Sequence, residues 1–294
     1  MRVDAHQHFW RYDAAQYPWI DESMHALRRD FLPAHLRPEL TRAGVHVTVA
    51  VQACQTVAET RWLLQLADSV DFVGGVVGWV DLQADDVEAR LADVAAHPRL
   101  AGVRHVVQAE PDDRFMLRPA FVRGIAALRQ FGLTYDILIY PRHLPAAIEL
   151  AGRFGAQPFV LDHLAKPEIR RGAIDQWARD IETLAAAPNV FCKLSGLVSE
   201  ADWQQWTPQH IHPYLDVAFD CFGATRLIAG SDWPVCTVAA DYASVMQVVG
   251  DYLQRRPAAE RDAVLGTNAL RFYGLDERAR AVSAVAAGDD DNHG

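Results

Sequence analysis

Cysteine is scarce in this chain. Four thiols, Cys54, Cys192, Cys221 and Cys236, serve 294 residues, and no two of them form a Cys-x-x-Cys pair. So few, and without that spacing, they argue against a disulfide framework, and reduced thiols in a cytoplasmic protein are expected. Long apolar runs are missing as well: none reaches the roughly 20 residues of a membrane span. No cationic segment followed by an apolar run opens the chain, so no secretory leader is expected. Positive charge is in deficit, with 28 Lys and Arg against 38 Asp and Glu, a net charge of −10 and a pI near 5.6. An acidic surface argues against nucleic acid and against an anionic membrane as partners. Internal repeats and dividing linkers are absent, and no Gly-x-Gly-x-x-Gly follows the first apolar run, so a dinucleotide-binding sheet has no support.

Hydrophobic residues, by contrast, make up half the chain. Eight β-branched runs recur along it: Val3–His8, Val45–Gln52, Val73–Val80, Ala101–Val106, Thr134–Ile139, Phe159–Asp162, Val190–Leu194 and Leu227–Ala229. Continuous rather than alternating apolar character suits parallel strands covered on both faces. Between them lie helical stripes: Leu63, Leu66, Ala67 and Val70; Ile211, Tyr214, Leu215, Ala218 and Phe222; Val245, Val248, Val249 and Tyr252. Asp85 reads as the N-cap of a helix over 86–96, ended by His97-Pro98. Eight strands alternating with helices predict an α/β fold, a single-domain (β/α)8 TIM-like barrel over residues 1–275, with a polar tail over 276–294. The first loop, Phe9 to about Leu32, is long and aromatic, as lids often are.

The second residue of each alternate pair on a strand shares a face with the first, so His6 and His8 aim at one volume. In a barrel of this kind the active site lies at the carboxyl ends of the strands. Polar groups stand at nearly all of them: Gln52, Trp79 and Asp81, Arg104 and His105, Asp136 and Tyr140, Asp162, His163 and Lys166, Lys193 and Ser195, and Ser231, Asp232 and Trp233. Each alone has a structural explanation, such as a surface ion pair or a cap. A purely structural barrel has no reason to gather all of them at one mouth.

Together, His6-x-His8, His163 in Asp-His-Leu-Ala-Lys-Pro and Asp232 in Gly-Ser-Asp-Trp-Pro resemble the amidohydrolase superfamily. More narrowly, the chain is similar to its amidohydrolase-2 branch, with hydrolases of sugar lactones (L-fuconolactone, L-rhamnonolactone) and of pyrone lactones. Gly102-Val-Arg104, Lys193-Leu-Ser195-Gly and Gly266-Thr-Asn268-Ala-Leu-Arg-Phe-Tyr273-Gly fit the same branch. The resemblance implies a hydrolase, a part in L-fucose degradation, and at most one divalent ion, zinc, on His6, His8, His163 and Asp232. No bridging lysine ends the fourth strand, which speaks against a binuclear centre, and a metal-independent reaction stays open.

The chemistry expected is attack of water on a lactone carbonyl. Asp232 is the candidate general base, and His163, His6 and His8 complete the catalytic set. Arg104, Gln52, Lys166, Trp79, Lys193 and Trp233 are the candidate substrate-binding residues, aromatics for sugar faces and charged or forked donors for hydroxyls. Arg104 could instead grip a substrate carboxylate bidentately. That leaves two other readings: hydrolysis of a carboxylated lactone of the pyrone or muconolactone type, and metal-dependent nonoxidative decarboxylation. A noncatalytic barrel binding a sugar or a partner is a third. The partner expected is a small-molecule substrate, a sugar lactone, and oligomeric state is not readable from composition.

Overall fold

The computed structural model describes residues 1–275, so the expected tail over 276–294 lies outside the described residues. Eight parallel strands pair in chain order: β1 (Val3–Gln7), β2 (Val47–Val51), β3 (Val73–Gly78), β4 (Leu100–His105), β5 (Thr134–Ile137), β6 (Phe159–Leu161), β7 (Val190–Leu194) and β8 (Leu227–Ala229). Several strands stop one or two residues short of the apolar run, because the last residues leave the ladder to enter the loops of the mouth. Outside the strands lie α1 (Pro33–Ala43), α2 (Val57–Ser69), α3 (Val87–Ala95), α4 (Pro119–Leu128), α5 (Leu144–Arg153), α6 (Asp175–Ala185), α7 (Pro208–Phe222) and α8 (Tyr242–Leu253). Two short helices, α9 (Ala258–Asp262) and α10 (Asn268–Tyr273), follow. The fold is a (β/α)8 barrel.

The helical stripes turn inward as their spacing requires: Leu63 and Ala67 on α2, Ile211, Tyr214, Leu215, Ala218 and Phe222 on α7, and Val245, Val248, Val249 and Tyr252 on α8 are buried. One local expectation fails. Helix α3 begins at Val87, and Asp85 does not cap it. Asp85 instead lies 3.3 Å from the Arg123 guanidinium, and Asp86, at the cap position, bonds Arg90 one turn on at 2.6 Å. The arginines win these carboxylates from the helix backbone.

The barrel closes between its first and last strands, and this closure builds the site. His8 N donates to Trp233 O at 2.6 Å, and Asp232 N donates to His6 O at 2.8 Å. Two histidines from the start of the chain are thereby laced to a carboxylate from its end. A register shift in β1 between Asp4 and Gln7 assists. Val3 and Ala5 join an inner apolar plug with Val49, Val77, Ile228 and, from α10, Ala269 and Tyr273. Asp4 turns the other way. It accepts from Ser231 N (2.8 Å), Ser231 Oγ (2.6 Å) and Tyr242 Oη on α8 (3.0 Å). Irregularities of this kind re-aim side chains beside active sites.

The aromatic first loop folds over the mouth. Trp10 and Phe31 exchange backbone hydrogen bonds of 2.9 Å at its neck, and a 3-10 turn, Glu22–Leu27, lies between them. Tyr17 Oη donates to Glu59 at 3.3 Å, and Trp19 Nε1 donates to Ala53 O at 3.2 Å, fastening the loop to the segment after β2.

Candidate active site

The floor of the mouth is a cluster of buried imidazoles and carboxylates. His6 Nε2 and His8 Nε2 lie 3.2 Å apart. Asp232 Oδ1 is 3.2 Å from His8 Nε2, 3.7 Å from His6 Nε2 and 3.8 Å from His163 Nε2. The four residues expected to form the catalytic set therefore meet. Backbone conformation aims two of them: Asp232 has φ +58°, and His163, Leu164, Ala165 and Lys166 run at φ from +52° to +60°. Left-handed backbone costs roughly 1–2 kcal/mol per non-glycine residue, and such strain gathers at functional sites. Trp177 Nε1 holds the turn, donating to Leu164 O at 2.7 Å. Gly196 lets the His163 ring pass: a Cβ there would stand 2.6 Å from His163 Nδ1.

The outer nitrogen of each ring is held by a neighbour. His8 Nδ1 donates to Val51 O at 2.8 Å, His163 Nδ1 bonds Ser195 Oγ at 2.8 Å, and His6 Nδ1 lies 3.4 Å from Asp162 Oδ1 and 3.1 Å from Lys193 Nζ. A backbone carbonyl, as at His8, is a usual support of a metal-ligating imidazole. Burial lowers His163 to about 4. Burial and then Lys193 push His6 well below the ordinary histidine value. For Asp232 burial acts upward, but the surrounding imidazoles, His163 foremost, hold the carboxyl below the usual range. Asp232 is thus a carboxylate across the working pH range.

A carbonyl oxygen can only accept, so the proton of neutral His8 sits on Nδ1. Its Nε2 lone pair then faces the Asp232 carboxylate. Lone pairs opposed at this range need positive charge between them, a proton or a metal ion. The donor set suits zinc, which takes imidazole nitrogen and carboxylate oxygen. One ligand atom each from His6, His8 and Asp232 lies within 4.8 Å of the others, and so, separately, for His6, Asp162 and His163.

Above the floor opens a cavity of 420 Å³, lined among others by His8, His163, Asp232, Arg104, Lys166, Trp19, Tyr140 and Leu138. Of the expected substrate-binding residues, Arg104 and Lys166 reach it. Gln52 does not: it is fully buried beside Arg104, its Nε2 donating to Arg104 O at 3.3 Å. Lys193 also lies below the floor, fully buried, donating to Asp136 Oδ2 at 2.6 Å and 3.0 Å from Asp162 Oδ1. Trp79 turns to His105, with Nε1 3.4 Å from its Nδ1. Trp233 packs edge-on against Phe9 and Phe31. Neither indole lines the cavity. The aromatic faces offered there are Trp19, from the first loop, and Tyr140. Sequence reasoning missed Trp19 as a wall and Asp4 as the clamp behind Asp232. It also missed a legible signal: Lys166 and Lys193 are the only lysines in the chain, and both stand at this site.

The family model described as Amidohydrolase matches residues 3–275. The L-fucono-1,5-lactonase of Burkholderia multivorans is 42% identical over 292 residues, covering 96% of this chain and 98% of that protein. Two crystal structures of an amidohydrolase from the same organism are 42% identical to this chain, covering 94% of it and 99% of theirs. The one with bound HEPES superimposes with a TM-score of 0.90, the one with bound zinc with 0.89.

Proposed function

The chain belongs to the amidohydrolase family, and from that premise we propose that it is a hydrolase opening a neutral sugar lactone of the L-fucono-1,5-lactone class to its aldonic acid. One observation carries the choice of substrate. Among the described residues that line the cavity, the fixed cations are Arg104 and Lys166, and each is already paired. Arg104 Nη1 donates to Asp162 Oδ2 at 3.0 Å, and Lys166 Nζ lies 3.3 Å from Glu200 Oε1. A carboxylated lactone would find no uncompensated positive charge here. A neutral polyol ring finds donors, acceptors and the Trp19 and Tyr140 faces.

Water resting against Asp232 attacks the lactone carbonyl. Asp232 takes its proton as general base and returns it to the ring oxygen as the ring C–O bond breaks. The carbonyl oxygen gains charge and needs preorganised donors, a role that falls to the Arg104 guanidinium at the edge of the floor. Lys166 reaches the sugar hydroxyls. A divalent ion held by His6, His8 and Asp232, with His163 beside them, would polarise the carbonyl and acidify water. The four cysteines are free, which suits a reducing compartment, and we place the reaction in the cytoplasm. No helix among the described residues is long and apolar enough to cross a membrane.

The test is a pH-indicator assay over a panel of aldonolactones and a pyrone dicarboxylate, with metal-stripped and zinc-supplemented protein. Opening of L-fucono-1,5-lactone at a kcat/KM at least 100-fold above the pyrone is expected. Preference for the dicarboxylate would overturn the reading.

A further inference from the structure

His6 sits between two cations that compete for it. Lys193 Nζ lies 3.1 Å from its Nδ1, and Arg104 Nη1 lies 3.2 Å from its Nε2. Ammonium and guanidinium groups donate hydrogen bonds and cannot accept them. Each contact therefore asks for a ring lone pair, and a neutral imidazole has one. In the tautomer protonated at Nδ1, Nε2 accepts from Arg104 while Asp162 Oδ1 lies 3.4 Å from the protonated nitrogen. In the other tautomer Nδ1 accepts from Lys193 and Nε2 carries the proton. In neither form is Nε2 free, yet Nε2 is the atom that faces His8 and Asp232 at 3.2 and 3.7 Å.

Arg104 cannot easily swing aside. It is 3% exposed, its Nη1 is anchored on Asp162 Oδ2 at 3.0 Å, and its Nη2 donates to Gln52 O. Gln52 grips the same residue from the other side, donating its Nε2 to the Arg104 carbonyl. A divalent ion entering at His6, His8 and Asp232 must break the Arg104–His6 bond or displace a proton, and must do so next to a guanidinium that stays in place. We propose that Arg104 sets the zinc affinity of this floor, by holding the His6 lone pair that the ion needs. This rests on the reading that the floor takes one divalent ion. It gives the buried arginine a role beyond substrate binding: a positioning residue that keeps the ion weakly held and exchangeable.

The experiment is zinc titration of metal-stripped full-length protein against a chromogenic chelator, for the wild type, Arg104→Met and Arg104→Lys. Circular dichroism confirms the fold of each. Arg104→Met retains a partner for Asp162, since Lys193 Nζ lies 3.0 Å from its Oδ1. It is expected to bind zinc at least tenfold more tightly than the wild type. Arg104→Lys keeps the charge but loses the fork that reaches His6, and is expected to fall between the two. Equal or weaker zinc binding by Arg104→Met overturns the proposal, as does an absence of zinc binding in both proteins. Arg104→Lys matching the wild type would show that charge alone acts, which also overturns it, and this variant decides the matter if Arg104→Met does not fold. Lactone opening is read separately in the wild type, so the substrate assignment can fail while the zinc shift stands.

Discussion

In the proposed reaction Asp232 is the residue on which the chemistry turns, and its surroundings define what its removal should do. It is 3% exposed and kept ionised by three imidazoles. Asp232→Asn keeps its shape and its backbone bond to His6 while removing the base. A positioned general base is worth roughly 10²–10⁴ in rate. We expect kcat for lactone opening to fall by that factor, with the melting temperature within a few degrees of the wild type. Steady-state kinetics beside calorimetry checks both, and a kcat within threefold of the wild type would remove Asp232 from the base role. A carboxyl held this low is a weak base on its own, so the positive charge that opposes the His8 and Asp232 lone pairs also bears on how readily the water gives up its proton.

Among the elements, the first loop carries the clearest pH signature. Glu59, on α2, accepts from Ala53 N at 3.0 Å, Cys54 N at 2.8 Å and Tyr17 Oη at 3.3 Å. Burial pushes its carboxyl from an ordinary 4.5 up to about 7, against the pull of those hydrogen bonds. Below 4.5 both folded and unfolded chains hold the proton. Between 4.5 and about 7 the unfolded chain releases it while the folded one keeps it, so this group's contribution to stability is lost as pH rises through that window. With 1.36 kcal/mol per unit, the loss is on the order of 3 kcal/mol. Glu59→Gln keeps an acceptor for the two backbone N–H groups and offers its amide to the Tyr17 oxygen. The melting temperature of Glu59→Gln minus that of the wild type should therefore climb between pH 4.5 and 8 and then level. A difference that stays flat over this range would show that Glu59 titrates normally.

Elements are also where the sequence was most readable. The eight strands were visible because a parallel strand buried on both faces needs an unbroken apolar run, which few other structures require. The convergence of His6, His8, His163 and Asp232 was legible too, since strand-end residues of a barrel share one mouth. The fate of Gln52, Lys193, Trp79 and Trp233 was not. All stand at or near strand ends, but depth along the barrel axis decides between cavity, floor and wall. That depth depends on strand stagger and on shifts such as the one in β1, which leave no mark in composition. Asp4 shows the same limit: simple alternation puts it on the face of His6, and the register shift sends it to Tyr242.

At the scale of the whole molecule, the barrel interior joins two halves with different duties. Toward the mouth are the imidazoles and Asp232; toward the base is the plug of α10. Between them lie two cations, Arg104 and Lys193, and two carboxylates, Asp136 and Asp162, all within 3% of full burial. Removing one partner from a buried pair typically costs about 3–5 kcal/mol, because a stranded charge remains. Tyr273 links this cluster to the base, its Oη donating to Asp136 Oδ2 at 2.7 Å. Burial raises the Asp136 carboxyl, so every donor it keeps matters. Tyr273→Phe deletes one donor and leaves the ring in the plug, while Lys193 still holds Asp136 at 2.6 Å. Loss of a hydrogen bond to a buried charged acceptor costs roughly 1–3 kcal/mol, which in a domain of this size lowers the melting temperature by about 2–4 °C per kcal/mol. We expect that drop with kcat and KM within twofold of the wild type, since no cavity-lining group moves. Calorimetry and lactone kinetics on one preparation separate the outcomes. A tenfold fall in kcat without a fall in melting temperature would mean that the base of the barrel tunes the mouth through Asp136 and Lys193, and that the division between a stabilising base and a catalytic mouth does not hold in this chain.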